Sequence, residues 1–265
     1  MHKKKSTAEI EAEYKKYCEV CHDVDKHKVD TLKLFERFAK LAREDFDKRA
    51  ANLPESGINL WTELYNYRKG SGSGVTGKLL RQNLRKFIEA GQGGQCCYCR
   101  RPLVNISNAK PIEHILPRKP FIQHTFNFWN LAVACFDCNH AKKNFYWVSD
   151  ELITNPDYPK PDDFCDSYHP RYHTYDEHVR FVRVQTNTIN ISLYIGNTDI
   201  GKSLCRHLLK KISGKDILLC SNLALKESVT KLLDDIPGLS DKAAAAVGDF
   251  NDALSDVVLK LIDER

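Results

Sequence analysis

Apolar residues recur along the first fifty positions at the spacing of a helix face. Leu32, Leu34, Phe35, Phe38 and Leu41 form a stripe within a heavily charged stretch, which predicts two helices between Ser6 and about Arg49. Pro54 to Gly57 interrupts the pattern, Leu60 to Tyr67 resumes it as a short helix, and Gly70-Ser-Gly-Ser-Gly74 reads as a flexible connection. Another helix is expected from about Lys78 to Glu89. Pro156 to Pro170, rich in Pro and Asp, reads as an extended linker or wrapping loop. Val179 to Val184 and Ile189 to Ile195 alternate apolar and polar residues around Thr-Asn-Thr, the pattern of a β-hairpin. Helices follow, one from Thr198 as N-cap to Lys211 and one from about Asn222 to the end. The expectation is an α+β, mainly helical chain in three regions, 1–77, 78–150 and 151–265.

Composition narrows the class. The 265 residues, 42% hydrophobic and 28% charged, are those of an ordinary globular protein with enough chain for a substantial core. No run approaches the roughly 20 apolar residues that span a bilayer, so no membrane partner is expected. The Met1 to Lys5 start lacks the apolar stretch of a signal peptide, and the expected location is cytoplasmic. In a reducing compartment, paired cysteines are more often metal ligands or core residues than disulfides.

The net charge of +5 is unevenly spread. Residues 78–147 carry eleven Lys and Arg against Glu89, Glu113 and Asp137, a balance of +8 that leaves −3 for the rest. A basic segment in a near-neutral chain is the footprint of a polyanion site, although charge alone would sooner describe a solvated face.

The cysteines change the picture most. Cys96-Cys-Tyr-Cys99 and Cys135-Phe-Asp-Cys138 each place two thiols three residues apart, the spacing with which a tight turn aims both sulfurs at one ion. Four soft thiolates favour Zn2+ and leave no open coordination position, so this ion is expected to build structure rather than react. Cys97, out of phase between two ligands, is expected to pack in the core.

Between the two pairs lie Ile112-Glu-His-Ile-Leu-Pro117 and Asn130-Leu131, and after them Asn139, His140 and Lys142. In this order the stretch from about Gly94 to Asn144 resembles the HNH endonucleases, a branch of the ββα-metal nucleases. The resemblance implies an embedded ββα-metal module stapled by the four-cysteine zinc site. It implies that His114 at the end of the first strand is the general base, a role its near-neutral pKa suits. It also implies that Asn139, opening the helix, ligates a catalytic Mg2+ or Mn2+ with Glu113, and that Asn130 clamps the loop that orients the base. Lys142, Lys143 and Arg118 would hold flanking phosphates. Hydrolysis in the family leaves a 5′-phosphate and a 3′-hydroxyl. Most members have Asp where this chain has Glu113, one methylene longer, and His140 is the alternative ligand; neighbouring helix residues diverge by about 100°, so only one of Asn139 and His140 is expected to serve. The Cys96 to Leu103 opening, Glu113 before His114 and Phe128-Trp-Asn-Leu131 are similar to HNH proteins that accompany an ATPase in bacterial antiphage systems of the Septu and retron-linked type. That likeness implies an ATPase partner and a defence role.

Three other motifs are weaker. Gly72 to Lys78 fits a phosphate-binding loop until Leu79 replaces the required Ser or Thr. Cys18-Glu-Val-Cys-His22 spells a haem attachment signature in a chain with no export signal; a second zinc with His27 is less expected than helix packing. Leu233 to Ala243 resembles a DNA-binding helix-hairpin-helix turn, but residues 221–265 hold five basic against nine acidic residues, a balance that repels phosphate. His124, alone in a loop, is expected in core or surface. The overall expectation is an HNH endonuclease acting on DNA; RNA as substrate, or a non-catalytic zinc-stabilised nucleic-acid-binding module, are the alternatives.

Overall fold

A computed structural model describes residues 4–68, 74–103, 110–185 and 190–221. The helix expected from Asn222, the hairpin-like turn Leu233 to Ala243, the Thr-Asn-Thr turn and Gly70 to Ser73 lie outside the described residues. Within them the chain is α+β, mostly helical, with two small antiparallel sheets. No described helix is long and apolar enough to cross a membrane.

The N-terminal helices form where the pattern predicts. Helix α1, Thr7–Val20, opens with a capping box: Ser6 Oγ accepts from the Glu9 N–H and Glu9 accepts from the Ser6 N–H, satisfying two donors that a helix start leaves bare. Helix α2, Lys28–Ala50, buries Leu34, Phe35 and Phe38 along one face. Helix α3, Leu60–Asn66, is capped by Asn59. Helix α4, Gly77–Gly91, is capped by Thr76 and buries Leu80, Leu84 and Ile88. Gly77 is required there, because a Cβ would lie 1.4 Å from the Leu64 carbonyl oxygen of α3.

Strands β1, Ile112–His114, and β2, Leu131–Val133, pair antiparallel with His114 opposite Leu131, and helix α5, Phe136–Lys142, follows. A short helix α6, Tyr175–His178, leads to the second hairpin, β3, Val179–Gln185, and β4, Asn190–Gly196. Helix α7, Asp199–Leu204, capped by Thr198, runs through a π turn at Cys205–Leu209 into α8, Lys210–Ser221.

The three sequence regions share their cores. Tyr17, Phe38 and Leu64 pack in one cluster with Leu80, Leu84, Leu131 and Val133, so α1 to α4 close over the β1–β2 pair. On the other side, the cysteines, Tyr98 and Ala132 pack against Tyr175, Val179, Leu204 and Leu208. The segment with the site residues is thereby held from both flanks.

The Pro- and Asp-rich stretch is a wrap rather than a spacer. Phe164, Tyr168, His169 and Tyr172 are buried within or just beyond it. Arg171 is its anchor: it donates to the Phe128 and Leu131 carbonyls at 3.1 and 2.8 Å, lies over the Phe128 and Trp129 rings, and ion-pairs with Glu13 of α1.

Several buried histidines make this packing sensitive to acid. His169 accepts from the Arg171 N–H at Nδ1 and meets the Tyr158 hydroxyl at Nε2, an arrangement that suits the neutral ring. Burial, with help from His173 and Arg171, holds His169 well below its ordinary pKa, and burial with Arg43 pushes His124 down to about 3. The unfolded chain therefore binds protons more readily, so stability is full above about pH 6.5 and falls as acid is added below it. Urea midpoints should drop steadily from about pH 6.5 to about pH 4, by more than surface carboxylates explain, and His169→Gln should flatten that slope.

Candidate metal centre and cleft

The loop 95–102 and the start of α5 bring four thiols together. The sulfurs of Cys96, Cys99, Cys135 and Cys138 all lie within 4.8 Å of one another, and this is the one such cluster of metal-binding side chains among the described residues. Cys99 and Cys135 are 3.7 Å apart, Sγ to Sγ. Zinc–sulfur bonds of about 2.3 Å in a tetrahedron require a separation of about 3.8 Å, so the donor set and its spacing fit a structural zinc. Backbone and cationic donors surround the sulfurs. The Cys135 N–H donates to Cys96 Sγ at 3.2 Å, the Cys138 N–H to Cys135 Sγ at 3.5 Å, and Arg101 Nε to Cys99 Sγ at 3.4 Å. Such donors orient thiolates and tune their charge.

Arg101 also joins the cluster to α8. It pairs with Asp137 at 2.8 Å and Asp216 at 3.2 Å, while Lys215 reaches Asp137 at 2.7 Å. Against the effect of burial, Lys215 and Arg101 bring the Asp137 carboxyl down to about 2. Cys97 is buried among the apolar neighbours of the cluster, as its phase predicts. Cys21 is likewise core, with its thiol donating to the Cys18 carbonyl, and His22 caps the adjoining turn by accepting from the Val24 N–H.

Next to the clamp opens a cleft of about 610 Å³. Its wall includes His114, Asn139, Lys143 and Arg118 from the 110–144 stretch, and Trp61 and Arg81 from α3 and α4. The His114 ring stands edge-on to Trp61 with centroids 4.7 Å apart, and its Nε2 lies 3.1 Å from the Thr125 carbonyl oxygen. A carbonyl only accepts, so Nε2 carries the proton and Nδ1 keeps its lone pair. Burial, then Arg118, Lys142 and Arg81, hold His114 well below its ordinary pKa, which keeps the ring neutral.

The loop between β1 and β2 is tied at its neck by Asn130. Fully buried, it accepts from the Leu116 N–H at 2.7 Å and donates to the Leu116 and His124 carbonyls at 3.0 and 2.9 Å. The amide thus secures the segment that carries Thr125, the partner of His114.

Two expectations about the helix change. Helix α5 opens at Phe136 with Cys135 as its cap, so Asn139 lies one turn inside rather than at its start. His140 stacks on Phe136 with centroids 5.7 Å apart and is not on the cleft wall, whereas Asn139 is. Lys143, also on the wall, has φ 47°, a left-handed backbone that is costly for a residue with a Cβ and recurs at functional sites.

Lys142 is not on the cleft wall. The side chain expected at a phosphate is fully buried, with Nζ 2.7 Å from the Glu113 carboxylate and donating to the His114 carbonyl at 3.1 Å. It neutralises Glu113, whose carboxyl burial nonetheless pushes up, with Lys142 opposing. Lys142→Met should therefore cost about 3–5 kcal/mol in urea unfolding, because a buried carboxylate loses its partner. A phosphate ligand at this position would instead leave stability unchanged and weaken only nucleic-acid binding.

Arg118 keeps its place on the cleft, pinned by donation to Asn59 Oδ1 at 2.8 Å, and burial lowers its pKa. Trp61, Arg81, Thr125 and Arg101 were not legible as site residues. Trp61 and Arg81 reach the cleft from outside the motif, and only Arg101 lies next to a sequence signal, the first cysteine pair.

No protein-family model, curated protein or solved structure matches the chain.

Proposed function

We propose that the protein is a metal-dependent endonuclease of the HNH type that hydrolyses phosphodiester bonds of DNA. One juxtaposition carries this reading: a neutral His114, with Nε2 engaged and Nδ1 available, on the wall of a cleft that also presents Asn139 and is lined by five Arg and Lys residues against Asp45, Glu55 and Glu113. A ring held neutral by burial, and then by neighbouring cations, keeps its lone pair open to a proton from water throughout the neutral pH range. Those cations, Arg118 and Arg81, favour the anionic phosphate that the reaction requires.

The oxygen donors beside His114 are the Asn139 amide and the Glu113 carboxylate, the hard kind that Mg2+ or Mn2+ takes. Glu113 is already paired with Lys142, so an ion there would share its carboxylate. When bound, such an ion would neutralise charge growing on the scissile phosphate. His114 would take the proton of the attacking water at Nδ1, Thr125 would hold the ring in that tautomer, and Arg118 would orient the phosphate. The zinc clamp would fix α5 against loop 95–102 and take no part in the reaction. The likeness to antiphage HNH proteins extends the proposal to bacterial defence in the cytoplasm, with an ATPase partner.

The test is incubation of the purified protein with supercoiled plasmid and with total RNA, in Mg2+, Mn2+ and chelator. Plasmid nicking that requires the ion supports the reading, and RNA degradation with intact plasmid transfers it to RNA. Binding without cleavage of either, in every ion and with an ATPase partner added, leaves the non-catalytic binding module.

A further inference from the structure

The cleft does not end at His114. A second groove of about 430 Å³ meets it at Arg81, Pro111 and Ile112, residues that border both. Its floor is one face of α4, where Lys78, Arg81, Gln82 and Arg85 fall at i, i+3, i+4 and i+7, and Lys110, ion-paired with Glu89 of the same helix at 2.5 Å, completes the basic lining. None of its eight lining residues is acidic. Tyr65 forms the rim, 45% exposed, with the Arg81 guanidinium 4.9 Å from its ring centre and 4.8 Å from that of Trp61. Arg81 is thus wedged between two aromatic rings at the junction of groove and cleft. A positively charged track with an exposed aromatic face is the arrangement that takes a polynucleotide strand, phosphates along the basic side and a base on the ring.

We infer that this groove carries a single polynucleotide strand as it leaves the cleft, with Lys78 and Arg85 on its phosphates and Tyr65 stacked on one of its bases. The inference rests on the cleft being a phosphodiester site, and it names the form in which the substrate lies there. The cationic side alone would accept any backbone. Tyr65 decides for a single strand, because the bases of a duplex are stacked on one another and offer an external ring no face. The strand would pass Arg81 between the two cavities, which gives that residue contact with the phosphate next to the one cut.

Binding is measured on His114→Ala protein, by fluorescence anisotropy with a labelled single-stranded DNA of about 30 nucleotides, longer than a site of this kind covers, the same sequence as RNA, and the DNA duplex. Reversing Lys78 and Arg85 together to Glu should weaken single-strand binding at least about tenfold and reduce the slope of log Kd against log salt by about 1.4, two contacts at about 0.7 each. Tyr65→Ala should weaken single strands about five- to a hundredfold and duplex by less than about twofold. Lys86→Glu, an exposed charge on the same helix that does not line the groove, should stay within about twofold of the parent. Equal losses for DNA and RNA single strands would place recognition in backbone and stacking; a preference for one would name the source. The inference is overturned if the double reversal leaves single-strand affinity within about twofold, or if Tyr65→Ala changes duplex and single strand alike. Cleavage by otherwise wild-type protein separates the two claims: unchanged cutting by the double reversal rejects the groove alone, while absent cutting with intact groove binding rejects only the nuclease reading.

Discussion

His114→Ala should reduce plasmid cleavage by about 10²–10⁴-fold in kcat, the usual contribution of a positioned general base, with KM changed much less. The expectation follows from where the proton sits. Nε2 is committed to the Thr125 carbonyl, so Nδ1 is the basic atom, and burial, with the cations around the ring, keeps it unprotonated. His114 is also packed on Trp61, and alanine will cost stability as well as chemistry. Far-ultraviolet circular dichroism and a urea midpoint on the variant separate the two. A second variant, His114→Gln, retains a donor for Thr125 and most of the packing while losing the base. Activity within about tenfold of wild type in His114→Gln would remove His114 from the reaction. If the base acts as proposed, the pH profile of wild-type kcat/KM should also lack an acidic limb at the ordinary histidine value, because the His114 pKa lies well below it. That limb should appear only at lower pH.

Removing the zinc clamp should have a larger effect on the fold itself. Structural zinc contributes about 10–16 kcal/mol of binding free energy in small sites, as large as the whole stability of a typical domain. Here the four cysteines join loop 95–102 to α5, and Arg101 extends the join to Asp216 of α8. Cys138→Ser, or prolonged treatment with a strong chelator, should therefore unfold the segment between β1 and α8, with loss of α5 and of the neighbouring cleft. Elemental analysis of the intact protein should find about one tightly bound zinc per chain. Cys97→Ala is the control: its sulfur is buried but outside the cluster, so it should keep the zinc and cost only about 1–2 kcal/mol. A wild-type chain with no zinc and an unchanged melting curve in chelator would reject the clamp.

Features written in a few neighbouring residues were readable in advance. The helices of the first ninety residues follow from apolar spacing and local caps at Ser6, Asn59 and Thr76, the second hairpin from alternation, and the cysteine cluster from two pairs of matched spacing. Each is signalled by residue types at spacings of about one turn or less, where period and side-chain type leave few options. The Pro- and Asp-rich stretch misled because those residues mark irregular backbone without saying whether it packs; its aromatic and histidine side chains, which do the packing, carried no period to reveal it.

The site residues divide in the same way. Order along the chain groups His114, Asn130 and Asn139, but order is silent on which direction a side chain takes. Lys142 and Lys143 are adjacent and chemically identical, yet the first is sealed against Glu113 and the second lines the cleft. The chain leaves α5 between them, and only the packed β1 strand tells inside from outside. Trp61 and Arg81 lie far outside the motif, and their place beside His114 exists only because α3 and α4 share a core with β2. Local pattern thus set the elements and the four-cysteine cluster. The polarity of each wall, the tautomer of His114 and the second groove arose when distant segments met, since burial and charge at a point depend on every chain that passes near it.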